Sequence, residues 1–182
     1  MKINVIGAGT WGLTLGCMLS DKGHDIIIWQ RDSTKTSILS KELKHKNLPN
    51  LNIPTNILFT SDYHDIYEDS LNVIAIPSHS LNDFFSKFNN HNQGQYLLAS
   101  KGFDIKTGYL PSQILHNLYK IDLSNISILS GPNHAEEISL NKASASVIAS
   151  TNSTFAKGLQ KLFFSDSFRI YTSKDIYGVQ VG

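Results

Sequence analysis

The chain has 182 residues, 41% of them hydrophobic and 17% charged, which is enough to bury one sizeable core. Its formal net charge of +1, spread over scattered basic residues, leaves no electrostatic footprint for nucleic acid. One cysteine, seven dispersed histidines without metal-ligand spacing, and no apolar run near the ~20 residues of a membrane span argue against an internal disulfide, a metal site and a transmembrane helix.

The opening "MKINVIG" meets a glycine too soon for a secretory signal, so a cytoplasmic, reducing setting is expected. Residues 2–6 read as a short buried strand. Residues 11–22 read as a helix, with Leu15, Met18 and Leu19 on one face and Gly23-His24 as its stop. Cys17, inside that pattern, reads as a small buried apolar residue rather than a nucleophile. A second strand covers 25–29 and a polar helix 33–44. An irregular segment with two prolines follows at 46–57. Then come a strand at 71–76 ended by Pro77, a helix at 81–88, a turn at 91–94 and a strand at 96–100 leading into Lys101-Gly102. A strand at 126–129 runs into "SGPNHAEE". The last elements are a strand at 144–149, a helix at 153–163 and a strand at 168–171. Strands that are apolar throughout, alternating with helices, imply a sheet covered on both faces. The expected fold is a doubly wound α/β domain with a mainly parallel, Rossmann-type sheet. No glycine- or serine-rich linker divides it.

The first strand and helix are joined by Gly7-x-Gly9-x-x-Gly12. In a βαβ unit the first glycine permits the tight turn. The second lets a pyrophosphate approach the backbone, and the third lets helix and strand pack closely. Free N–H groups and the positive end of the helix dipole then face the anion. Gly16 extends the close-packed face. The same pattern also serves as a tight turn without a ligand. At the end of the second strand, where an acidic residue would bind ribose hydroxyls, stands Trp29-Gln30-Arg31-Asp32. Arg31 is either a surface residue of a turn or a partner for a 2′-phosphate, which leaves NAD and NADP both open.

Lys101 ends a strand at the edge where doubly wound sheets bind ligands, and its ammonium can bind phosphate or polarise a carbonyl oxygen. Pro132 can open a helix whose first N–H groups accept an anion. His79 and His134 read as structural or solvated rather than as acids or bases.

The segments "GAGTWG", "NLPNLNIP", "AIPSHS", "ASKGFDIKTG", "LSGPNHAEEI" and "FFSDSFRIYTSKDIYGVQVG" occur in an order that resembles bacterial NAD(P)-dependent glycerol-3-phosphate dehydrogenases over essentially the whole chain. The resemblance implies interconversion of sn-glycerol 3-phosphate and dihydroxyacetone phosphate for glycerophospholipid synthesis. It also implies a Rossmann domain followed by a helical domain, and a homodimer in the full-length protein. By the same resemblance Gly7, Gly9, Thr10, Trp11, Gly12, Arg31, Lys101 and Ala135 contact the NAD or NADP cofactor, and Lys101, Gly131 and Asn133 contact the substrate. Asn133 stands where the family usually carries Ser or Thr, and His134 where Phe is common. Residues 1–182 are then the cofactor-binding half, ending just before the helical domain. The proton-transfer lysine of the family would lie in that domain, beyond Gly182, which leaves Lys101 as the electrostatic catalytic group of this half. Residues 1–182 are expected to be inactive alone, with apolar surface exposed at their last residues. Two other readings are a non-catalytic dinucleotide-binding module or decayed gene remnant, and a sister two-domain dehydrogenase of another hydroxy acid or sugar acid. Lys101-Gly102 and Ser130-Gly131-Pro132 argue against the sister dehydrogenase.

Overall fold

A computed structural model describes residues 1–88 and 94–182. The expected turn at 91–94 lies, except for Gly94, outside the described residues. Eight strands form one sheet: β1 (Lys2–Ile6), β2 (Asp25–Trp29), β3 (Leu58–Thr60), β4 (Leu71–Ile74), β5 (Gln95–Leu98), β6 (Ile126–Ser130), β7 (Ser144–Ser150) and β8 (Phe168–Ser173). Their order across the sheet is β3-β2-β1-β4-β5-β6-β7-β8. Every pair is parallel except β6 and β7, which run antiparallel with Ser130 opposite Val147. The doubly wound, mainly parallel sheet is therefore present, with its last two strands reversed.

The helices are α1 (Thr10–Asp21), α2 (Ser33–Glu42), α3 (Leu81–Phe85), α4 (Pro111–Gln113), α5 (Ala135–Ser139), α6 (Ser153–Phe163) and α7 (Ile176–Val181), with a π turn over Ile114–Leu118 continuing α4. Side chains alternate across the strands. Ile3 and Val5 of β1 and Ile26 and Ile28 of β2 join α1, α2, α5 and α6 in one core. Ile6, Trp29, Ile74 and Leu98 face the other core, with Phe84 and Phe85 of α3 and Ile176 of α7. Trp29 meets Phe84 edge-on, with ring centroids 4.9 Å apart.

Strand β4 ends at Ile74, two residues short of the expected end, because the chain curves over the glycine turn on its way to Pro77. Ala75 still donates to the Ile6 carbonyl at 2.8 Å. The helix expected over 81–88 keeps regular geometry only to Phe85. At the other end of the chain, Ile176 and Gln180 are buried, and Ser112 Oγ donates to Gln180 Oε1 at 2.6 Å. Tyr177 and Val181 are exposed, as expected of the last residues. Gly182 caps α7, and its N–H donates to the Gly178 carbonyl at 3.1 Å.

Cys17 is 2% exposed. Burial, with a smaller push from Asp21, raises its thiol pKa to about 12. The thiolate is the reactive form, so at pH 8 the native chain should react with an aromatic disulfide reagent at least ~100-fold more slowly than the chain unfolded in guanidinium. Comparable rates in the two states would mean the α1 face opens readily.

Candidate active site

Strand β1 lies between β2 and β4, so the chain leaves it in opposite directions on its two sides. In such sheets a crevice opens at that point, outside the carboxyl ends of the strands. The glycine turn fills the gap. Gly7 adopts φ +115°, and a Cβ there would stand 2.7 Å from the Ala75 carbonyl oxygen. A Cβ on Gly12 would come within 1.9 Å of the Gly7 carbonyl oxygen, and one on Gly16 within 2.8 Å of Ile28 Cδ1. These three glycines let α1 lie close against the sheet. Gly9 is different, because nothing lies within 4 Å of where its Cβ would be. Gly9 is also the N-cap of α1, and no side chain caps that end. In α2 and α6 the corresponding amides are bonded by Asp32 and Asn152. The first N–H groups of α1 thus have no side-chain cap, and the residue beside them leaves room for a ligand, an arrangement suited to an anion.

A cleft of about 410 Å³ adjoins this turn. The glycine turn contributes Thr10 and Trp11, the end of β4 contributes Ala75 to Pro77, and the end of β5 contributes Lys101. The far wall is Gly131, Asn133, Ala135 and Glu136 after β6, with Ser146 from β7. The reversal of β7 brings Ser146, near the start of that strand, to the edge where the parallel strands end.

Lys101 is held from two sides. Ser100 Oγ donates to the Ile76 carbonyl at 2.6 Å, tying the end of β5 to the end of β4. The Lys101 ammonium reaches the Gly131 carbonyl at 3.5 Å, a long contact that leaves its donors available to a ligand. Asn133 Nδ2 donates to Ser146 Oγ, while Asn133 Oδ1 is buried with no partner among the described residues. An unpaired buried amide oxygen costs ~1–3 kcal/mol, which a ligand donor in the cleft would recover. Thr14 Oγ1 donates to the Ala135 carbonyl at 3.5 Å, holding the start of α5 against α1.

The expected site residues therefore divide into four groups. Thr10, Trp11, Lys101, Gly131, Asn133 and Ala135 line one cleft. Gly9 lines a second hollow of about 500 Å³ on the α2 side. Gly7 and Gly12 lie beneath the turn. Arg31 lines neither space, and its guanidinium extends toward Asp83 of α3 at 4.0 Å. A hydrogen bond from Lys87 holds the Asp83 carboxyl below the usual carboxylate range. His79 is exposed away from the cleft, and His134 is exposed but lines it. Glu136 and Ser146 line the cleft without having been singled out from sequence. Among the described residues no group of three or more His, Cys, Asp or Glu side chains could hold a metal, and no helix is long and apolar enough to cross a membrane.

The family model for the N-terminus of NAD-dependent glycerol-3-phosphate dehydrogenase matches residues 2–156. The chain belongs to that family. It is 33% identical over 184 residues to a glycerol-3-phosphate dehydrogenase, NAD(P)+, of Thermoanaerobacter sp., covering all of this chain and 55% of that protein. The counterpart from Oceanobacillus iheyensis is 32% identical over 185 residues, again over the full chain and 54% of that protein. The chain thus spans about half the length of the curated relatives it matches. Among solved structures, glycerol-3-phosphate dehydrogenase from Coxiella burnetii superposes with a TM-score of 0.86 at 24% identity, covering 98% of this chain and 55% of that one. The Plasmodium falciparum protein gives 0.87 at 21% identity, covering 99% and 54%. Those two likenesses bear on the fold.

Proposed function

We propose that residues 1–182 are the NAD(P)-binding, N-terminal domain of a glycerol-3-phosphate dehydrogenase, interconverting sn-glycerol 3-phosphate and dihydroxyacetone phosphate for glycerophospholipid synthesis. The observation that carries this is the uncapped α1 N-terminus at Gly9, open to a pyrophosphate, beside a cleft that holds Lys101. Thr10, Trp11 and Ala135 would line the cofactor's path, and Gly131 and Asn133 would meet the substrate. When bound, the nicotinamide supplies the hydride for the carbonyl carbon of dihydroxyacetone phosphate. Lys101 then acts on the oxygen of that carbonyl, which gains negative charge as the carbon is reduced, and a protein acid delivers the proton. A cytoplasmic setting goes with this reading.

Calorimetry with NADH and NADPH tests it. The folded chain should bind both, and a folded chain that binds neither would overturn the proposal. Arg31→Ala should weaken NADPH about tenfold more than NADH, because a charge-assisted bond to a 2′-phosphate is worth ~1.5–3 kcal/mol. Equal losses would place Arg31 outside cofactor discrimination.

A further inference from the structure

The hollow on the α2 side opens at Gly9, the residue proposed above to receive a pyrophosphate. It runs past Gln30, just beyond β2, and along α2 to the segment that follows it. Its charged walls are unbalanced. Lys35, Lys44 and Lys46 contribute three ammonium groups, and Glu42 one carboxylate. Burial, with a smaller contribution from Lys46, pushes the His45 imidazole below its ordinary range, so it adds no charge at neutral pH.

Among the described residues, no free carboxylate follows β2 to hold ribose hydroxyls. Asp32 is the nearest one, and it is engaged. Its Oδ1 accepts from the Thr34 and Lys35 amides at 3.0 and 3.1 Å, capping α2, and its Oδ2 lies 3.8 Å from the Lys35 ammonium. That ion pair is long, and its side chains are 69% and 46% exposed, so it holds Lys35 only weakly. Lys35 also sits in the first turn of a ten-residue helix, where the helix dipole favours an anion.

We propose that Lys35, with Lys44 and Lys46 on the same hollow, selects a dinucleotide carrying a phosphate on its adenosine ribose. This rests on the reading of the Gly9 turn as the pyrophosphate site. A ribose with free hydroxyls offers an ammonium only a neutral acceptor. A 2′-phosphate is close to a dianion at neutral pH and takes charge-assisted hydrogen bonds. The hollow lies on the α2 side, whereas Arg31 reaches toward α3, so the two cations would approach the ribose from different sides.

The experiment is calorimetric titration of the 182-residue chain with NADPH and NADH, at low and moderate salt. The proteins are wild type, Lys35→Ala, Lys35→Arg and the Lys44→Ala/Lys46→Ala double variant. All of these side chains are exposed, and circular dichroism verifies the fold of each variant. Lys35→Ala should weaken NADPH about tenfold and NADH less than twofold, and Lys35→Arg should keep most of the preference. The double variant should lose a smaller part of it. Added salt should erode the NADPH advantage of wild type more than that of Lys35→Ala. Unchanged NADPH affinity in Lys35→Ala, or equal losses for both nucleotides, would overturn the proposal and leave the dinucleotide site standing. A folded wild-type chain that binds neither nucleotide would overturn the dinucleotide site, and the proposal with it.

Discussion

Gly9→Val is expected to keep most of the chain's stability and to remove dinucleotide binding, whereas Gly12→Ala should destabilise the fold strongly. The two glycines belong to one motif and are three residues apart, yet their surroundings differ. Gly9 has φ −73° and ψ 176°, a conformation open to any residue, and no atom lies within 4 Å of a Cβ placed there. Valine at this N-cap should cost roughly 0.5–2 kcal/mol of stability at most. Its methyl groups would instead fill the space beside the free N–H groups of α1, where the pyrophosphate would lie. Losing those bonds should weaken binding by at least about a hundredfold, or ~2.7 kcal/mol. At Gly12 the obstacle is backbone, since a Cβ would overlap the Gly7 carbonyl oxygen at 1.9 Å. Only a shift of α1 away from the sheet relieves that overlap, at a cost of ~3 kcal/mol or more. Urea unfolding should therefore separate the variants in one direction and calorimetry with NADH in the other. Wild-type affinity in Gly9→Val would mean that the motif is a tight turn and nothing more.

That contrast marks how far the sequence can be read. The motif and its place between a strand and a helix are local properties. So are β1, β2 and α6, whose observed bounds agree with the expected 2–6, 25–29 and 153–163. Strand β3 is not legible, because Leu58 is 57% exposed and three residues offer no alternation. The reversal of β7 is not legible either. A strand buried on both faces has the same apolar pattern in either direction, and only its partner's register distinguishes them. That reversal is what carries Ser146 to the cleft, so Ser146 had no signal of its own. Lys35 was hidden differently. Arg31 drew attention as a partner for a 2′-phosphate, with Asp32 one position later, but Asp-Ser-Thr-Lys is also an N-cap followed by a first helical turn. In the structure the cap consumes that carboxylate and leaves the lysine beside the hollow.

Lys101→Ala should cost the largest factor in turnover. Reduction of dihydroxyacetone phosphate places negative charge on the carbonyl oxygen as hydride reaches the carbon, and the Lys101 ammonium is the only lysine cation on the cleft among the described residues. Preorganised donors of this kind contribute ~10²–10³-fold when removed singly. The chain covers about half the length of its relatives, and where the other half supplies the acid, proton delivery worth another ~10²–10⁴-fold is missing from residues 1–182. Residues 1–182 by themselves should therefore bind cofactor and show no measurable NADH oxidation with dihydroxyacetone phosphate. Fusion to the second half of a relative such as the Thermoanaerobacter protein should restore turnover, and Lys101→Ala in the fusion should then lower kcat by ~10²–10³ while NADH binding persists. Lys101→Arg should recover only part of the rate, since the guanidinium keeps the charge but is bulkier and planar. A robust rate from residues 1–182 alone, lost in Lys101→Ala, would move the proton donor into this cleft, where His134 and Glu136 are the remaining titratable groups. An unchanged rate in the fused Lys101→Ala variant would instead make the lysine a solvated strand end, and the charge on the oxygen would have to be met by the uncapped amides or by the other domain.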